Sequence, residues 1–159
     1  MLALDPFVLP RLNMFMAYKG IFQPTNPGKY KGDPSNIIYR SSWELRCIKY
    51  FDLNNNIIDW ASEELAIPYK SPIDGRLHRY YPDFIVKAQQ ASGGVQTIMV
   101  EVKPYYQTQE PVVKKRKTKR YINEVKTYAI NRYKWDAAED YCKDRKWKFL
   151  ILTERELNI

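Results

Sequence analysis

Four side chains in this sequence carry chemistry that its apolar segments do not explain: Glu44, Asp83, Glu101 and Lys103. The last two lie in IMVEVKPY, residues 98–105, a run otherwise composed like a sheet interior. Side chains two apart on a strand share a face, so an acid and a base project side by side from an apolar strand. Taken alone, that pattern is an ion pair on a half-exposed edge strand. The preceding segment changes the reading. YYPDFIVK puts Asp83 in a second apolar run, and pairing Lys87 with Thr97 across the loop QQASGG sets Asp83 opposite Glu101. Two facing carboxylates repel each other. A divalent cation relieves that cost, and Mg²⁺ takes only one or two protein carboxylates besides water and phosphate. Lys103 is then placed to hold an attacking water or hydroxide, or to offset charge on a pentacoordinate phosphorus. Pro82 ends regular pairing, so Asp83 is expected at a bend. Glu44 has two readings of equal weight. Ser41-Ser42-Trp43-Glu44 fits S-x-x-E, a capping box closed on the Ser41 backbone, and Glu44 is equally an upstream acid that completes the site.

The elements that must position these groups follow from periodicity. YRSSWELRCIKYFD places Trp43, Cys47, Tyr50 and Phe51 at helical spacing, and the turn-rich DLNNN stops the helix. Two short extended segments follow, 57–60 and 65–69, then the turn SPIDGR, with Asp74-Gly75 at its centre. Two longer strands, 78–88 and 95–103, read as a hairpin. After a polar, basic connection, Ile122, Val125, Ala129, Tyr133 and Ala137 mark the expected buried stripe of a long helix. A last strand spans 147–153. The order α-β-β-β-α-β describes an α/β domain, a mixed sheet flanked by helices.

The chain has 159 residues, enough for one core, and a net charge of +8, which favours a polyanionic partner. Residues 1–36 read as an irregular basic arm before a single domain at 37–159. Within the arm, 1–15 form an extension upstream of a second start at Met16, without the basic n-region of a secretory signal. KKRKTKR supplies Lys114, Lys115, Arg116, Lys117, Lys119 and Arg120, a phosphate-gripping run that gives affinity without sequence reading. Lys19, Lys29 and Lys31 in the arm are a second candidate contact line. Cys47 and Cys142 are expected as buried thiols, His78 as a surface residue, and Trp60 and Trp135 as core.

A helical Glu44, Pro82-Asp83, and Glu101-Val102-Lys103 after seventeen intervening residues together resemble the PD-(D/E)xK nuclease superfamily and its restriction-endonuclease-like core. YRSSWE, RYYPDF and VEVKP are similar to the TnsA-type transposase nucleases. MAYKG, YKGDP, YINEVKTYA and YCKDR bring the chain closer still to the head completion nucleases of T-even-like tailed phages. The likeness begins at Met16 and runs to the end. It implies metal-dependent hydrolysis of DNA phosphodiesters, with Mg²⁺ as cofactor and Mn²⁺ as its substitute. Asp83 and Glu101 would bind the metal, the Val102 carbonyl would be a third ligand, and Glu44 would complete the site directly or through water. Lys103 would be the catalytic lysine, with Lys126 as an accessory group facing the site. The implied setting is packaged DNA before heads join tails, in the host cytoplasm or on the virion, with head or portal proteins as partners. The alternatives are a structural DNA-binding connector without required catalysis and a TnsA-like recombination subunit.

Overall fold

The structure, a computed structural model, describes residues 19–158. The upstream extension 1–15 and most of MAYKG lie outside that range. In chain order the elements are β1 (Gly20–Phe22), β2 (Ile37–Tyr39), α1 (Ser42–Leu53), β3 (Ile57–Ser62), β4 (Ile67–Lys70), β5 (Leu77–Tyr80), β6 (Phe84–Gln89), β7 (Val95–Val102), α2 (Lys119–Arg145), β8 (Lys148–Leu152) and α3 (Glu154–Leu157). The central sheet has the order β3-β6-β7-β8. Its first two pairings are antiparallel, and β7 runs parallel to β8 through the long α2 crossover, which a parallel connection needs. With the two small strand pairs and the one-turn α3 set aside, the remaining order is α-β-β-β-α-β around a mixed sheet, the restriction-endonuclease-like arrangement.

Alternation along β7 sorts the core into two layers. Ile98 and Val100 point to one face and join Cys47, Ile48 and Phe51 of α1, with Trp60, Phe84 and Val86. Met99 points to the other face and meets Trp135, Ala138 and Cys142 of α2, with Ile67, Tyr69 and Tyr80 of the β4–β5 hairpin. Trp60 and Trp135 are core residues and both cysteines are buried free thiols, as their surroundings in the sequence predict. Among the described residues no helix is long and apolar enough to cross a membrane.

Three expectations are corrected. The segment 78–88 is two strands, because Pro82 has no N–H to donate and the chain bends at Asp83. β5 therefore leaves the main sheet and pairs with β4 through the predicted Asp74-Gly75 turn, where Gly75 takes φ +69°. The buried stripe of α2 is Tyr121, Asn131, Trp135, Ala138 and Cys142, whereas Ile122, Val125 and Tyr133 are exposed. Both stripes have helical spacing. The sheet face selects the one whose small Ala138 and Cys142 let the helix approach Met99, with Cys142 Sγ 3.9 Å from Met99 Sδ.

The segment read as an irregular arm is also tied down. β1 pairs antiparallel with β2, and Asp52 accepts the N–H groups of Thr25 and Asn26 at 2.7 and 2.9 Å. Lys29 Nζ donates to the carbonyls of Phe51, Asp52 and Asn54 at 3.3, 3.0 and 2.7 Å. These are the orphan acceptors at the C-terminus of α1, where a cation also complements the helix dipole. Lys29 thus serves as a helix cap and not as a phosphate contact, while Lys31 lies 3.9 Å from Asp59. Lys29→Met is expected to lower stability by about 1–2 kcal/mol in urea unfolding, with DNA affinity at the wild-type value. Weakened DNA binding at unchanged stability would reverse this assignment.

Candidate active site

β6 and β7 pair with Lys87 opposite Thr97 and Phe84 opposite Val100, the register expected from the sequence. One residue beyond that ladder, Asp83 sits at the bend, on the same face as Met99, Glu101 and Lys103. Asp83 Oδ2 accepts the Val102 N–H at 2.7 Å, and the Asp83 carbonyl accepts the Glu63 N–H at 3.2 Å. The carboxylate and its backbone are therefore both held. Glu101 is 3% exposed and gives each oxygen a partner. The Tyr80 hydroxyl donates to Oε2 at 2.5 Å, and Lys103 Nζ lies 3.3 Å from Oε1. Lys103 is itself aligned by its N–H bond to the Leu152 carbonyl of β8 at 3.0 Å.

Two acids this close, Glu101 buried and Asp83 partly so, disturb each other. Burial and the neighbouring Glu101 charge push the Asp83 carboxyl up to about 8, against the pull of the Val102 N–H and Lys103. Glu44 adds a smaller upward push, so it lies within electrostatic range. Tyr80 is driven upward, first by burial and then by Glu101, and remains a protonated donor. On α2, Lys134 Nζ lies 5.7 Å from the Tyr80 ring centre and 5.8 Å from that of Tyr69. Burial and Lys103 lower its pKa, while Glu101 and Asp83 hold it up. The site thus contains two lysines around two carboxylates.

Tyr80 and Lys134 are absent from the sequence-derived set. Tyr80 lies three residues before Asp83 in RYYPDF, and Lys134 directly precedes Trp135, the anchor of the true buried stripe. Identifying that stripe would have pointed to Lys134. Lys126 is exposed. It lies eight residues before Lys134, about 12 Å along the helix axis, so Lys134 is the α2 lysine beside the carboxylates. Glu44 acts first as a cap. Its N–H donates to Ser41 Oγ at 3.0 Å, and its Oε2 accepts the Arg40 N–H at 2.9 Å, one residue upstream of the expected Ser41. Glu44 lies within electrostatic range of Asp83, but among the described residues it forms no three-carboxylate metal cluster with Asp83 and Glu101. The six basic residues between Lys114 and Arg120 are all exposed, with Lys114 and Lys117 Nζ 6.0 and 5.0 Å from the Tyr121 ring centre. His78 is exposed and bonded to Asp74 at 2.8 Å.

Among the described residues no three His, Cys, Asp or Glu side chains form a ready metal cage. The donors that do converge, the buried Glu101 and the partly exposed Asp83 in mutual repulsion, fit a hard divalent ion that keeps several waters. Proton uptake by Asp83 is the other way to relieve that repulsion.

Residues 54–154 match the family described as TnsA-like endonuclease N terminal, a span that contains Asp83, Glu101 and Lys103 but not Glu44. The chain is also 42% identical over 143 residues to the head completion nuclease of Enterobacteria phage T4, covering 87% of this chain and 93% of that protein.

The raised Asp83 pKa has a measurable consequence for the metal-free protein. An unfolded aspartate titrates near ~3.9, and the folded one near about 8. The folded state binds the proton more tightly, so this contribution to stability is complete below the unfolded pKa and is lost as pH rises through about 8. In chelator, the melting temperature of wild type is expected to fall between pH 5 and 9 more steeply than that of Asp83→Asn. Parallel profiles would show that Asp83 is not strained by its neighbours.

Proposed function

The chain belongs to the TnsA-like endonuclease N-terminal family, and on that premise we propose that it is a metal-dependent deoxyribonuclease that hydrolyses phosphodiester bonds during phage head completion. The observation that carries this reading is the pairing of the partly exposed Asp83 with the buried Glu101 at the end of the β6–β7 hairpin, with the Lys103 ammonium 3.3 Å from Glu101. Its likeness to the T4 head completion nuclease over most of both chains supports the same role.

Asp83 and Glu101 would hold Mg²⁺ or Mn²⁺. On an extended strand the N–H and C=O of one residue face the same neighbour. The Val102 carbonyl therefore points toward the side from which its N–H reaches Asp83, and suits a third ligand. When bound, the cation supplies Lewis-acid polarisation of the phosphate and lowers the pKa of a water. The chain's own groups do the rest. Tyr80 holds the Glu101 carboxylate in one orientation through Oε2. Lys103 donates toward the attacking oxygen or offsets charge gathering on phosphorus, and the half-buried Lys134 adds positive potential behind it. Glu44 reaches the site through water rather than directly. The exposed basic run from Lys114 to Arg120 grips the phosphate backbone, which provides binding without sequence preference.

Asp83→Ala, Glu101→Ala and Lys103→Ala are each expected to cut DNA about 10²-fold more slowly or worse, with DNA binding retained. Cleavage at the wild-type rate in the two acid variants would refute the site. Replacing Lys114, Lys115, Arg116 and Lys117 with Ala should flatten the dependence of log affinity on log salt by roughly 0.7–0.9 for each phosphate no longer neutralised, and an unchanged slope would remove the run from the interface.

A further inference from the structure

Immediately after Lys103 the chain forms one wall of a groove that the hydrolytic site does not use. Its volume is about 950 Å³, within the range that holds a small organic ligand. One wall is the short helical turn 105–108 and the extended 109–112; the other is the first turns of α2, from Arg120 to Tyr128. The first wall is anchored. The Tyr105 N–H donates to Glu154 Oε2 at 2.8 Å, Thr108 Oγ1 donates to the Tyr105 carbonyl at 2.7 Å, and the Arg155 guanidinium stacks 3.2 Å from the Tyr105 ring centre. The lining is aromatic and amide, with Tyr106, Gln107, Asn123 and Tyr128 facing the space. Tyr106 is 69% and Val112 79% exposed, a high cost in water for large apolar surfaces left uncovered.

Charge is segregated around this groove. Glu110 and Glu124 line it, and Glu124 already holds Arg120 at 3.2 Å, so the interior disfavours an anion. The chain leaves the groove at Val112, passes through Lys114, Lys115, Arg116, Lys117 and Lys119, and returns at Arg120. An aromatic, weakly acidic interior bordered by dense positive charge complements a nucleotide, whose base carries no negative charge and whose phosphate does. Amide side chains pair with the edge of a base, and tyrosine rings stack on its face. Tyr105 is two residues from Lys103, at most about 7 Å along the backbone, so one wall of the groove begins close to the proposed catalytic lysine.

We propose that this groove takes an unpaired nucleobase next to the bond to be cut, making the preferred substrate DNA with frayed or single-stranded nucleotides. A base stacked in duplex cannot enter; it must first leave the helix. The inference rests on the nuclease reading for its meaning, but its test does not need cleavage.

The full chain in chelator is titrated with a blunt duplex and with the same duplex carrying a short single-stranded extension that contains fluorescent 2-aminopurine. The extended duplex is expected to bind about five-fold tighter or more, with quenching of the probe as it stacks. Tyr106→Ala and Asn123→Leu, both at exposed positions, should each reduce that ratio and restore the fluorescence. Equal affinity for the two DNAs with unchanged fluorescence overturns the proposal, as would be seen if a protein segment occupied the groove. So does a Tyr106→Ala variant that keeps both the preference and the quenching. Preference without any cleavage on adding Mg²⁺ supports the groove and counts against the nuclease reading alone.

Discussion

The repulsion between Asp83 and Glu101 is the constraint around which this fold is arranged. A hairpin register that packs Phe84 against Val100 necessarily brings the next pair of residues together on the opposite face. Both members of that pair are acids; Glu101 is withdrawn from water and Asp83 partly so. The groups that hydrogen-bond or pair with them limit the cost. The Val102 N–H binds one carboxylate, Tyr80 and Lys103 bind the other, and Lys134 approaches from α2. Even so, the Asp83 carboxyl remains shifted far upward. A site in which burial and like charge are retained together is built for a third component, whether a proton or a cation.

The two-layer packing makes this arrangement possible. One face of the sheet is a closed apolar core with α1, in which Trp60, Phe51 and Phe84 meet edge to face or tilted. That core holds β6 and β7 rigid up to the residue before the bend. The other face is apolar only around Met99, Trp135 and Cys142, and becomes polar toward the ends of β7 and β5. Strand rigidity on one side and polar side chains on the other give the acids fixed positions without enclosing them in hydrocarbon.

Positive charge is divided by function across the molecule. Lys29 is consumed by three helix carbonyls, and Arg155 by the Tyr105 ring. The densest exposed positive charge lies in the run from Lys114 to Arg120, between β7 and the first turn of α2. That run also borders the aromatic groove, so on the proposed reading backbone grip and base contact would come from one continuous piece of chain.

Much of the chemistry was legible in the sequence because strands report it locally. Period-two alternation and a short Gly-Gly loop were enough to set Asp83 against Glu101 and to put Lys103 on their face, and the structure has that register. Pro82 likewise announced the bend, though its full effect, a separate β4–β5 hairpin, did not follow from the local pattern. Helices were less informative. Two stripes of α2 satisfy the same 3.6-residue period, and only packing against Met99 and the hairpin, distant in sequence, decides which is buried. That choice brings in Lys134 and leaves Lys126 in solvent. Tyr80 needed the same tertiary packing to become a partner of Glu101. Glu44 fitted both a cap and a ligand by local pattern, and the structure shows the cap, with Oε2 on the Arg40 N–H, while keeping Glu44 within electrostatic range of Asp83. The sequence alone determined which groups share a strand face; the packing of helices against the sheet determined which others could reach them.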